Sequence, residues 1–209
     1  MTEQYLPLRQ TLVFATALLY WGGVYINAKR VKKQIGHSPN LKPRSTKEWG
    51  LWLSWLFVIL AWMGQALFLP LLQAQLLFTP VNFMPPLSNF IFSSLLVILG
   101  YAGTLWCYRT MQDSWRIGIN TAEKLTLVTT GPYRYVRHPI YTLQMIILIA
   151  MGMLIPTLFS LGFIILHFIC CAIKASDEEK YLLASQGQPY QLYYSSSGRF
   201  LPKYSKSKT

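Results

Sequence analysis

The sequence predicts an all-α integral membrane protein with about five transmembrane helices, and three observations predict it. Apolar side chains make up 53% of the 209 residues and charged ones 12%, against roughly 25% charged in a soluble domain. Residues 49–108 contain no Asp, Glu, Lys or Arg, a run that a soluble domain of this size cannot hide from water. The remaining charges are bunched. Residues 29–48 hold seven basic and one acidic, residues 109–138 five and two, and the tail from Lys174 six and three. A soluble globular domain, a disordered chain and a secreted disulfide scaffold are thereby excluded.

A spanning helix needs about 20 apolar residues to cross a bilayer core about 30 Å thick. Residues 10–28 fit one span and end at Lys29, Arg30, Lys32 and Lys33. Residues 49–69 fit a second, with Pro70 expected to stop or kink it. Residues 70–86 carry four prolines and no charge, and read as a loop with interfacial pieces. Residues 87–108 are the third span. The uncharged stretch 139–173 is too long for one helix and just short of two full ones. It reads as a hairpin of short spans, 139–155 and 157–173, turning at about Met153–Thr157. The whole chain, 1–209, is then a single membrane domain. Glu3 and Arg9 before a long apolar span, with no small-residue cleavage site after it, argue against a cleaved signal.

Five spans put all three basic segments on one face, which the positive-inside rule makes cytoplasmic, and the N-terminus outside. The net charge of +12 then belongs to loops facing anionic lipid headgroups, and no nucleic-acid partner is expected. Cys107, Cys170 and Cys171 sit at the ends of apolar runs and read as small buried hydrophobes. No Cys/His cluster suggests a metal. His37 lies in a basic loop and is expected in water. His167 lies within a span, where an interhelical hydrogen bond is expected before a catalytic role. None of the common nucleotide, zinc-protease or serine-hydrolase motifs is present.

Two cytoplasmic segments, 109–138 and 174–204, are dense in groups that do chemistry, and the hairpin brings them together. In the first, Gly131-Pro132 marks a turn and Pro139 suits the first turn of a helix. Arg137 and His138 then lie at a helix N-terminus, where the dipole and free N–H groups favour a carboxylate or phosphate. Arg137, Tyr133 and Tyr141 are equally readable as interface anchors. The second segment continues the fifth span to about Gly187. Lys174 and Glu178 share a face at i, i+4. Glu178 is the candidate to meet a cation, or else a surface carboxylate paired with Lys174. Glu179 points about 100° away; with Asp177 and Lys180 it reads as solvated.

At these segments the chain resembles the isoprenylcysteine carboxyl methyltransferase and phospholipid methyltransferase family of membrane enzymes. The matching pieces are Leu127-Val-Thr-Thr-Gly-Pro-Tyr-Arg-Tyr-Val-Arg-His-Pro-Ile-Tyr141, Glu178-Glu179-x-x-Leu182, Gly187-x-x-Tyr190-x-x-Tyr193 and Arg199-Phe-Leu-Pro202. Asp113-Ser-Trp-Arg-Ile-Gly118 is similar to bacterial members, which implies a bacterial inner membrane. The resemblance spans about Gln112 to Pro202.

It implies methyl transfer from S-adenosylmethionine to a lipophilic or membrane-delivered acceptor, with membrane lipids around the site. Arg137, His138 and the helix start at Pro139 would hold the cofactor carboxylate, and Glu178 its ammonium. Leu127, Val128, Tyr133 and Tyr141 would line the adenosine region. Lys174 stands where many members carry an arginine that meets an anionic substrate, and with Arg137 it is the catalytic candidate. Lysine keeps the charge and loses bidentate geometry. Phospholipid amines, small thiols, phenols and isoprenoid carboxylates all remain as acceptors. Two other classes compete with this reading. NADPH-dependent sterol-type reductases typically carry Arg-His-x-Asn-Tyr, whereas this chain has Arg137-His-Pro-Ile-Tyr141. A non-catalytic assembly protein fits poorly with polar residues gathered at one membrane edge.

Overall fold

A computed structural model describes residues 6–72, 74–81, 83–118 and 126–203. Residues 119–125, within the first chemistry-bearing segment, and Tyr204, at the end of the second, lie outside them. The described residues form six α-helices: α1 (Leu6–Ile35), α2 (Thr46–Leu72), α3 (Pro86–Met111), α4 (Pro139–Leu154), α5 (Leu158–Gln186) and α6 (Gln188–Ser196). Short 3₁₀ turns stand at Leu76–Phe78, Gln112–Ser114 and Gly131–Arg134. No strand occurs among the described residues, only isolated bridges pairing Asn40 with Ile117 and Val136 with Gly198.

Helices α1, α2, α3 and α5 are long and apolar enough to cross a membrane, while α4 has 16 residues and a length of about 24 Å. Each expected span is a helix, and two helices run beyond their apolar stretches at the basic ends, α1 past its expected end and α5 to the end expected near Gly187. α1 continues through Lys29–Lys33, and α5 through Lys174 to Gln186. Pro70 does not stop α2, which continues to Leu72. Pro70 lacks only the one N–H that would reach the carbonyl of Ala66, and the helix ends two residues later, so the loss stays within its last turn. Pro86 and Pro139 open α3 and α4 from the first turn, and Gly187, at φ +61°, ends α5. That conformation suits glycine.

α4 lies at the centre of the bundle. Its Ile147, Leu148, Met151 and Leu154 are wholly buried, with Val13 and Ala17 of α1, Trp62 and Leu69 of α2 and Phe163 of α5 in the same core. α3 comes close to α4 through Gly100 and Gly103. A Cβ at these positions would stand 2.4 Å from Ile147 Cγ1 and 2.5 Å from Leu143 Cδ2. Small residues at such contacts let membrane helices pack backbone to backbone.

The hairpin turn at 155–157 is buried, with Ile155 and Thr157 almost without exposure. Backbone groups away from water need partners, and the carbonyls of Met153, Ile155 and Pro156 have them. Asn89 Nδ2 donates to Met153 O (2.7 Å), and Val81 N to Pro156 O (2.8 Å). Ile155 O accepts from Thr157 N (3.0 Å) and lies 2.6 Å from Ser160 Oγ, which also reaches Gln65 Oε1 at 2.7 Å. Thr157 caps α5 by accepting from Ser160 N (3.0 Å). The short α4 therefore ends against protein, with Val81 of the preceding loop laid on its turn.

The charge distribution sets a testable orientation. The three native cysteines are buried, so new ones at exposed sites label selectively. Gln75→Cys, in the uncharged loop after α2, is expected to react with an impermeant maleimide from outside the cell. Ser195→Cys, near the end of α6, is expected to react only after the cytoplasmic face is opened. Reaction of both from one side would overturn the five-span arrangement.

Candidate active site

The charged ends of α4 and α5 are tied together by the C-terminal strap, residues 197–202. Arg137 N donates to Gly198 O (2.8 Å), His138 N to Arg199 O (3.1 Å) and Gly198 N to Tyr135 O (3.1 Å). Thr142 Oγ1 donates to Phe200 O (2.7 Å). Gly198 is required for the tightness of this strap, because a Cβ there would stand 1.7 Å from Leu201 O. On the other side of the site, Leu41 N donates to Ile117 O (3.1 Å) and Ile117 N to Pro39 O (3.0 Å). The α1–α2 loop is thus laid against 115–118.

Under the strap sits a buried ion cluster. Glu179 Oε1 accepts from Arg137 Nε (2.8 Å), and Oε2 accepts from Arg199 through Nε (3.0 Å) and Nη2. His138 lies between the two carboxylates, Nδ1 3.4 Å from Glu178 Oε2 and Nε2 3.3 Å from Glu179 Oε1. These are ion-pair distances, and Nε2 makes no well-aligned hydrogen bond. Arg137 Nη1 donates to the carbonyls of Tyr194 (3.1 Å) and Ser197, and its guanidinium lies over the Tyr194 ring at 4.1 Å.

Glu179 is therefore not solvated as its sequence position suggests; it is 2% exposed. Helical spacing separates the two carboxylates by about 100°, but the strap covers the second face and supplies Arg199 to it. Glu178 has a different environment. Its side chain is 25% exposed, it accepts from the Tyr141 hydroxyl (2.8 Å), and it faces a cavity. Lys174 acts on Glu178 only through space, without a direct ion pair: its ammonium lies over the Trp55 ring at 4.7 Å.

The cavity, about 220 Å³, gathers all nine residues singled out from the sequence: Leu127, Val128, Tyr133, Arg137, His138, Pro139, Tyr141, Lys174 and Glu178. Tyr133 is buried and Tyr141 stacks on the His138 ring (5.6 Å, 7°), so neither is an interface anchor. Trp115, of the Asp113–Gly118 stretch, also lines it, and nothing in the sequence points to Tyr20, Trp21 and Trp55, which stand in the wall as well. Inside uncharged spans an aromatic that faces a cavity reads the same as one that faces lipid. His167 also departs from expectation. Its Nε2 lies 3.3 Å from Cys171 Sγ, one turn along the same helix, and its ring contacts Trp55 at 5.9 Å between centroids. The contact across to α2 is thus ring packing rather than a hydrogen bond.

Burial alone would lower the His138 pKa, but Glu178 and Glu179 outweigh it and raise the value above the ordinary 6.5. A raised histidine contributes stability that is fully present below about 6.5 and is lost as pH rises through the folded-state value. The His138 ring resonances are expected to titrate above 6.5 in labelled protein, and Glu179→Gln is expected to lower that midpoint. A midpoint at or below 6.5 in the unaltered protein would show that the ring is not held as a cation.

A family model described as the Isoprenylcysteine carboxyl methyltransferase (ICMT) family matches residues 93–184. The matched stretch runs from within α3 through α4 to two residues short of the end of α5, and stops before the strap. No curated protein matches the chain.

Proposed function

We propose, from the match of residues 93–184 to the isoprenylcysteine carboxyl methyltransferase family model, that this chain is a membrane methyltransferase of that family that binds S-adenosylmethionine in the cavity beside Glu178. The observation that carries the reading is the placement of Glu178, the one carboxylate among the described residues that line the cavity, beside Arg137, His138 and Lys174 in a wall that is mostly aromatic and apolar, at the end of the spans.

The residues present fit the cofactor. Glu178 already holds its charge among Tyr141 and His138 and would meet the ammonium through a charge-assisted hydrogen bond. The first N–H groups of α4, at Ile140 and Tyr141, have no intrahelical acceptor and would receive the carboxylate. Arg137 supports that end mainly through its charge, because Nε and Nη1 are already committed to Glu179 and to backbone carbonyls. Tyr133, Leu127 and Val128 would flank the adenosine. When bound, the cofactor supplies an electrophilic methyl group on a sulfonium. The chain's part is then to align the acceptor and keep water away, and the aromatic wall of Tyr20, Trp21, Trp55 and Trp115 suits both tasks. The same wall reaches between the spans, which supports a lipophilic acceptor entering laterally from the membrane.

Substitution of the adjacent carboxylates separates binding from folding. Glu178→Gln is expected to weaken S-adenosylhomocysteine binding roughly 10- to 150-fold, the worth of a charge-assisted bond of about 1.5–3 kcal/mol. Glu179→Gln is expected to lower thermal stability by on the order of 2–3 kcal/mol. That is below the figure for a fully buried broken pair, since Arg199 is partly exposed and glutamine keeps an acceptor. Calorimetric titration and thermal melts of each purified variant check both. Wild-type protein stabilised by NADPH and not by S-adenosylhomocysteine would refute the methyltransferase reading.

A further inference from the structure

The strap that closes over Glu179 also has an outer side. Phe200 stands between two rings, His138 of the ion cluster at 6.1 Å between centroids and Phe168 of α5 at 6.0 Å. Its carbonyl accepts from Thr142 Oγ1 (2.7 Å), which fixes the backbone at this point. Phe168 belongs to a half-exposed apolar stripe of α5 with Leu161, Ile165 and Ile169. Their spacing puts them on one helix face, and in an uncharged span that face meets lipid. Phe168 precedes Lys174, the first charge of α5, by six residues, or about 9 Å along the helix. A ring only 6.0 Å from Phe168 therefore lies below the level of Lys174, in the apolar zone. The next residue, Leu201, is 73% exposed. It stands at the tight bend over Gly198, after which Lys203 turns back to donate to Ser195 O (2.7 Å). A lone exposed leucine is ordinary on a water-facing surface. Here its neighbour is already seated against lipid-facing side chains.

We propose that the strap is an interfacial membrane anchor: Leu201 and the outer edge of Phe200 insert into the acyl-chain border of the adjacent leaflet, and this contact with the bilayer clamps the strap over Glu179. The occupant is the acyl region of lipid, because the patch continues the lipid-facing stripe of α5. The same few residues carry the clamp inward. Arg199 reaches Glu179, and the carbonyls of Gly198 and Arg199 receive Arg137 N and His138 N. Loss of the lipid contact thus weakens bonds that Leu201 does not itself make. One consequence rests on the reading of the cavity beside Glu178 as the methyl-donor site. A seated strap holds the first turn of α4 where the donor carboxylate would bind, so donor affinity depends on the bilayer contact.

The test uses the full chain in phosphatidylcholine nanodiscs. A bimane fluorophore on Leu201→Cys reports the contact, since the native cysteines are buried. Phosphatidylcholine carrying a nitroxide high on its acyl chain is expected to quench it strongly, and aqueous iodide weakly, with the reverse at Ser195→Cys. Clamping is read from hydrogen exchange at the amides of Arg137, His138 and Gly198, which the strap bonds protect. Leu201→Ser is expected to speed that exchange about tenfold, and Leu201→Phe to leave it unchanged. Unaltered exchange in the middle of α2 reports an intact bundle in both variants. Preferential quenching by iodide at position 201, or exchange unchanged in Leu201→Ser, would overturn the proposal. So would equal acceleration by Leu201→Phe, which would show that side-chain shape within the protein holds the strap. Leu201→Ser is also expected to weaken S-adenosylhomocysteine binding about threefold, as the seated fraction falls. Unchanged affinity beside faster exchange would overturn the link to the donor site. Failure of S-adenosylhomocysteine to bind the unaltered protein would refute the donor reading alone, since quenching and exchange decide the anchor without it.

Discussion

One carboxylate organises the charged end of this protein. Glu179 is buried and receives Arg137, His138 and Arg199 from two separate stretches of chain, the approach to α4 and the C-terminal strap. A buried charge is costly unless it is paired and hydrogen-bonded, so these stretches must gather on α5 if the helix is to keep Glu179 where its register puts it. Their gathering has a structural result. Residues 135–138 and 197–200 run side by side through Arg137 N–Gly198 O and His138 N–Arg199 O, and the first turn of α4 is held open to the cavity. Glu178, one residue earlier, then faces that cavity instead of the cluster. Two successive residues of one helix serve two purposes because about 100° of rotation separates them.

A second constraint comes from the membrane. Irregular backbone at bilayer depth is tolerated only where protein covers it. The turn between α4 and α5 meets this condition through Asn89, Val81, Ser160 and Gln65. That permits α4 to be only 16 residues long and still bury Ile147, Leu148, Met151 and Leu154 completely. With its far end sealed in this way, the hairpin returns α5 to the charged end beside the start of α4. The buried polar residues at the turn and the cavity residues at the opposite end thus belong to one design: the first fixes where the second can converge.

What the sequence revealed follows from what each signal measures. Hydropathy over 49–69, 87–108 and 139–173 located the helices because lipid demands apolar length, and Pro139 and Gly187 marked true boundaries because their backbone preferences are local. The nine candidate residues meet at one cavity, since the hairpin alone brings their segments together. Three features were not legible. The burial of Glu179 depends on a strap that arrives twenty residues later in the chain. The need for Gly198 depends on Leu201 O folding back over it. The cavity-facing Trp55 carries no mark that separates it from the exposed Trp52 three residues away. Each is a tertiary fact without a local sequence pattern.

Lys174 shows how these levels join. Its position in α5 puts its ammonium over the face of Trp55, a cation–π contact that holds a compact charge near Glu178 without a salt bridge to it. An arginine there would bring a planar fork able to clamp an oxyanion by itself. A lysine brings one strongly hydrated charge on a flexible stem, so geometric selection must come from elsewhere. The neighbouring cations are those of the α1–α2 loop, fastened to the same helix by Lys47 and Asp177 one turn from Lys174. That loop is positioned by an ion pair to α5 and by backbone hydrogen bonds to Ile117, contacts separate from those that hold the Glu179 cluster.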